Sequence, residues 1–212
     1  MKFRSLFAVF ALAALVAGCQ STSIRSAWFD TNFTGPPMRK VVVVGSINSV
    51  SDGRVFEDLF AQRLRAAGIE GVAGYTVIAD EARVTDASFA SAVATTGAQG
   101  LLLVRLLGVD TRTQVSTTMV SGGMGWGSGP WGGSSWGGST WGGPRGAMIP
   151  VQQVSQYELA TVEAKLFDVQ TRSLIWAATT TTFNPTSVAR ETPGFADLII
   201  GQLAGRGVIA GK

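Results

Sequence analysis

Lys40-Val41-Val42-Val43-Val44-Gly45-Ser46 reads as a strand with no wet face. Four consecutive valines show no polar alternation, so both faces of such a strand need cover. That is the habit of strands in a sheet with helices packed on it. The residues that follow agree. Ser51 or Asp52 offers a helix cap, Val55, Phe56, Leu59, Phe60 and Leu64 recur at three- and four-residue spacing, and Gly68 ends the pattern. Val72 to Ile78 reads as a second strand. Asp86 caps a shorter helix carrying Phe89 and Val93, closed by Gly97. Leu101 to Val109 is a third, strongly apolar strand that extends as far as Thr118. Strand, helix, strand, helix, strand with short right-handed crossovers builds a parallel or mixed sheet.

A second ordered region starts at Val151. Tyr157, Leu159, Thr161, Lys165 and Phe167 alternate with Ala160, Val162, Ala164 and Leu166, as a long strand requires. Asp168 to Ser173 is a polar turn, and Leu174 to Thr182 is the partner strand of a hairpin that Pro185 ends. Phe195, Leu198, Ile199, Ile200 and Leu203 form the apolar side of a last helix, which stops near Gly205 or Gly207. The expected fold class is therefore α/β. It is a single domain over residues 38–212 with a mixed β-sheet in the order β-α-β-α-β, then a long β-hairpin and a C-terminal helix, the helices packed on the sheet.

Composition breaks sharply over residues 121–148. This stretch holds 12 of the 27 glycines and four of the six tryptophans, and Trp126, Trp131, Trp136 and Trp141 recur every five residues. So much glycine has high entropy to lose and little to bury, so the segment is expected to be a flexible insertion. The strands flanking it are expected to pair antiparallel, with the insertion at their tip. The flanking residues from Thr111 to Thr118 are polar on both faces, unlike a lipid-spanning barrel hairpin.

The chain has no histidine and one cysteine, Cys19. Cys/His metal sites and Ser-His or Cys-His nucleophile pairs are thereby excluded, which lowers the odds of hydrolysis without removing carboxylate chemistry. No metal, cofactor or catalytic residue is expected. Leu15-Val16-Ala17-Gly18-Cys19 follows an uncharged run from Leu6 to Ala17, headed by Lys2 and Arg4. The run has the length of a signal-peptide core and falls short of the roughly 20 residues a spanning helix needs. It resembles a bacterial lipoprotein signal: residues 1–18 are removed, and Cys19 is acylated with palmitate-type chains on its thiol and new amine. Gln20, rather than aspartate, follows the cysteine. By that resemblance the address is the periplasmic face of the outer membrane, with the protein lipid-anchored. Residues 19–37 are then the lipidated cysteine and a tether, in which Trp28, Phe29 and Phe33 pack on the domain edge or dip into the bilayer interface. Loss of Lys2 and Arg4 from the 17 basic residues leaves 15 against 14 acidic ones, a balance that argues against nucleic acid as a partner.

Other candidate sites have plainer readings. Gly127-x-Gly129-x-x-Gly132 matches a dinucleotide fingerprint only as a string within glycine-rich sequence. The loop from Gly45 to Asp52 enters a helix N-terminus, where an anion can bind, but a helix cap accounts for it. Glu57-Asp58 and Asp80-Glu81 read as solvated charge. Arg105 reads as one half of a pair with a carboxylate such as Glu163, or as lying near an open strand end. Gly201-x-x-x-Gly205 reads as close approach of the last helix to the sheet.

Ser26-Ala-Trp-Phe-Asp-Thr-Asn-Phe-Thr-Gly-Pro-Pro37, Lys40 to Gly45, Arg54 to Asp58, Gly97 to Leu106 and Leu166 to Trp176 together resemble a group of proteobacterial lipoproteins of unknown function. Those proteins carry a glycine- and aromatic-rich insertion in the same place. The order of elements is also similar to the periplasmic domains of the curli secretion channel lipoprotein and of the outer-membrane penicillin-binding-protein activator. What these resemblances imply is a non-catalytic binding or assembly module of the cell envelope, not an enzyme. It would be held to the membrane through Cys19, with Trp126, Trp131, Trp136 and Trp141 contacting an envelope protein, the bilayer surface or peptidoglycan. The alternatives are a carboxylate-dependent enzyme acting on envelope glycans and a ring-forming secretion component.

Overall fold

A computed structural model describes residues 22–47, 49–78, 93–121 and 148–210. One six-stranded mixed sheet organises them. Its strands are β1 (Thr22–Phe29), β2 (Lys40–Ser46), β3 (Glu70–Ala73), β4 (Gly100–Ser121), β5 (Met148–Asp168) and β6 (Leu174–Phe183), in the order β1-β6-β5-β4-β2-β3. Helix α1 (Val50–Ala66) links β2 to β3, and α2 (Val188–Gly205) follows β6. β2 runs parallel to β3 and β4, whereas β6 runs antiparallel to β1 and β5. The α/β class, the mixed sheet and the long hairpin read from the sequence are all present.

The valine run behaves as its composition demands. Val41 and Val43 join a core that includes Phe56, Phe60 and Leu64 of α1 and Phe195, Ile199 and Leu203 of α2. Val42 points into a second cluster with Val93, Ala98 and Leu101. The rings of Phe56, Phe60 and Phe195 lie 5.7–6.1 Å apart, so aromatic packing joins the two helices. α1 sits tightly on β3. A Cβ built on Gly71 would lie 2.5 Å from the Ala61 carbonyl oxygen, so only glycine fits there.

The chain divides into two compact units, Met1–Asp110 with Glu158–Lys212, and Thr111–Tyr157. In the second, Ser116 Oγ donates to the Gln153 carbonyl at 3.4 Å and Ser155 Oγ to the Gln114 carbonyl at 3.5 Å. The partners run in opposite directions along the two strands, so β4 and β5 are antiparallel, as expected for strands flanking the insertion. Residues 111–118 and 152–156 are exposed on both faces.

Several local expectations need correction. Thr22–Phe29, assigned to a tether, is an edge strand. Thr22 and Thr182 share a buried hydroxyl–hydroxyl hydrogen bond of 2.8 Å, and Phe29 and Phe33 pack against the core while Trp28 stays half exposed. The cap of α1 is Ser49, whose extended backbone lets its Oγ accept from the Asp52 N–H at 3.0 Å. The second strand begins at Glu70 and stops at Ala73, where the 3-10 turn Gly74–Thr76 takes over. Gly201 and Gly205 are exposed with nothing near their Cβ positions, so that pair makes no close approach to the sheet. Glu163 pairs with Lys165 at 2.8 Å rather than with Arg105, which is exposed. Of the expected helix from Asp86, residues 93–95 are described as helical, and Gly97 closes it with φ of +69°.

Candidate functional site

Among the described residues, one feature with the shape of a binding site is an apolar cavity of about 290 Å³ between the sheet and the start of α2. The sheet contributes Val104 and Leu106 from β4 and Ala160 and Val162 from β5. The helices contribute Phe56, Val188 and Phe195. These positions follow from strand alternation: Ala160, Val162, Ala164 and Leu166 share the face of β5 that α2 covers. Near Val162 and Ala160 the small residues leave space that larger ones fill further along, where Leu166 and Trp176 are fully buried. The volume sits at the lower edge of small-molecule pockets, roughly 300–1,000 Å³.

Polar groups edge this space, and they hold the turn that leads into α2. Asn184, at φ of +46°, donates its N–H to the Glu158 carbonyl and accepts the Glu158 N–H on its side chain, both at 2.8 Å. Glu191 Oε1 accepts from the Thr186 N–H at 3.2 Å and the Thr186 hydroxyl at 3.1 Å. Ser187 caps α2 by accepting from the Arg190 N–H at 3.3 Å. Thr182 lines the cavity and holds Thr22 of β1 at its edge. Glu158 and Glu191 both line the cavity, and one oxygen of Glu191 is committed to the turn.

Near the end of β2 the protein supplies a carboxylate of its own. Glu57, read as a solvated charge, is fully buried. Its Oε1 accepts the Gly45 N–H at 2.9 Å and its Oε2 the Tyr75 N–H at 2.8 Å. The Tyr75 N–H is thus bonded to a side chain within the 3-10 turn that follows β3. Asp58 faces outward and accepts from the Tyr75 hydroxyl at 2.9 Å, with the Arg54 guanidinium 5.3 Å from the Tyr75 ring centre. The hydrogen bond to Asp58, followed by desolvation and the Asp58 charge, raises the Tyr75 pKa above the ordinary 10.0.

Cys19, Trp126, Trp131, Trp136 and Trp141 lie outside the described residues, as do Asp80, Glu81, Asp86 and Phe89. Among the described residues no group of His, Cys, Asp and Glu could hold a metal ion, and no helix is long and apolar enough to cross a membrane. Sequence reasoning missed the cavity. Its visible trace in the sequence is Ala160, a small side chain on the face of β5 that meets Phe56 and Phe195.

Neither a protein-family profile nor a curated protein matches the chain. Solved structures similar to it include two dodecamers of PelC from Paraburkholderia phytofirmans. One, a point variant, is 16% identical over 82% of this chain and 94% of its own, with a TM-score of 0.43. The other is 16% identical over 88% and 99%, with a TM-score of 0.42. The lipoprotein GNA1162 from Neisseria meningitidis is 12% identical over 78% of this chain and 98% of its own, with a TM-score of 0.38. All three are likenesses at low identity, and none assigns this chain a family.

Proposed function

We propose that this chain is a lipoprotein anchored to the periplasmic face of the outer membrane through acylated Cys19. It acts there as a non-catalytic binding or assembly module of the envelope. Trp126, Trp131, Trp136 and Trp141 make the partner contact, and the partner is an envelope protein, peptidoglycan or the bilayer surface. The observation that carries this reading is the exposure of the strands that flank the tryptophan repeat in the sequence. Residues 111–118 of β4 and 152–156 of β5 are exposed on both faces and mostly polar. Such strands bury little, so their conspicuous content is what they present. Tryptophan offers a large apolar face and one N–H donor to any of those partners.

The test is photocrosslinking in intact cells from a photoreactive amino acid placed at Trp131 or Trp136, followed by mass spectrometry. A discrete protein or glycan adduct that disappears when the repeat is changed to alanine supports the reading. Adducts no different from those of a probe at exposed Gln62 of α1 overturn it.

A second reading attaches to the cavity, because two carboxylates, Glu158 and Glu191, line it. An enzyme acting on envelope glycans would need both. The commitment of Glu191 to Thr186 and the apolar lining favour binding over catalysis. Release of sugar fragments from peptidoglycan by the wild type, lost in Glu191→Gln, would reverse that preference.

A further inference from the structure

We propose that the cavity beneath the start of α2 is an acyl-chain site, and that its occupant is a fatty chain carried on Cys19 of the same molecule. The inference rests on the acylation of Cys19 proposed above and adds a site to it. Three observations meet. The lining is apolar where the sheet and helices face each other, at Val104, Leu106, Val162, Val188 and Phe195, as a hydrocarbon ligand requires. The space is about 290 Å³. A methylene takes up about as much room as a water molecule, ~30 Å³ in the liquid, so a stretch of about ten carbons fits. The third observation is position. Thr182 lines the cavity, and the side chain it bonds is that of Thr22, where β1 begins.

Cys19 is three residues upstream of Thr22. Three residues reach at most about 11 Å, so Cys19 is tied within that distance of Thr22, short against an extended acyl chain. Attachment favours the protein's own chain as occupant. A ligand tied by so short a link faces the site at an effective concentration of roughly millimolar without having to be captured from elsewhere. The polar edge does not oppose this, because Glu191, Thr186 and Ser187 already bond one another or the helix backbone, and Glu158 is exposed to solvent. A chain lodged there is withheld from the bilayer. Stable anchoring needs more than one chain, so filling the cavity weakens the hold on the membrane.

The experiment uses the full chain made in cells fed a diazirine-bearing fatty acid. The protein is isolated from membranes, its acylation is read by intact mass, and it is irradiated and digested for peptide mapping. The expected product joins the acylated Cys19 peptide to a peptide containing Val104 and Leu106, or to one containing Val188 and Phe195. Val162→Phe and, separately, Ala160→Leu fill the cavity and should abolish that product while leaving acylation and the circular dichroism spectrum unchanged. Cavity peptides linked instead to a lipid lacking the Cys19 peptide, or to a tryptophan peptide of a second copy, overturn the proposal. So does an acylated Cys19 that crosslinks only elsewhere, a result that leaves the proposed function standing. An unacylated Cys19 overturns both.

Discussion

Glu57 Oε1 accepts the Gly45 N–H at 2.9 Å from inside the core, so the buried carboxylate of α1 closes the end of β2. Its second oxygen does the same for Tyr75. Removing the acceptor leaves two inward-facing N–H groups without it. Glu57→Ala is expected to cost about 2–4 kcal/mol, and Glu57→Gln, which keeps one acceptor, about half of that. Urea denaturation of the three proteins checks the order.

That bond also marks where the sequence stops speaking. The valine run is legible because burial on both faces leaves an unbroken apolar string, and α1 and α2 are legible because phenylalanine and leucine recur with the helical period. The bond from Glu57 is not, because its partners are backbone N–H groups, which carry no residue identity. β1 is hidden for a related reason. Thr22 to Phe29 has a composition equally at home in a tether, and pairing with β6 is what makes it a strand. The cavity is hidden because it is defined by volume that side chains fail to fill. The tryptophan repeat is conspicuous as sequence, and nothing in the described residues positions it.

The glycines of α1's neighbour and of α2 should respond in opposite directions. Gly71→Ala sets a methyl 2.5 Å from the Ala61 carbonyl oxygen and should cost about 1–3 kcal/mol. Gly201→Ala meets nothing within 4 Å on an exposed helical face and should stabilise by about 0.5–1 kcal/mol. Thermal melts of both variants decide whether Gly201 lacks a packing role in the protein alone.

The Tyr75 hydroxyl donates to Asp58, and that bond is the main reason its pKa lies above 10.0 in the folded protein. The fold thus favours the neutral phenol. Its contribution to stability is whole below pH 10.0 and is lost as pH rises through the raised folded value. Tyr75→Phe removes that dependence. The phenolate absorbance of the wild type, less that of the variant with Tyr157 alone, should titrate above the ordinary tyrosine value.

Deleting Gly122 to Gly146 should move the melting temperature by no more than about 3 °C, equivalent to ~1 kcal/mol at this size. The core is built from β2, β4, β5, β6 and the two helices, none of which includes that stretch. The deleted protein should also lose the crosslinks made from Trp131 and Trp136 in cells. A large fall in melting temperature would show that the segment supports the core.

Everything proposed for this chain depends on the chemistry at Cys19, and intact-mass analysis of the protein extracted from the cell envelope reads it directly. The expected mass is that of a chain beginning at Cys19 with acyl groups added. A mature chain with an unmodified thiol at Cys19, or one that still begins at Met1, would contradict it.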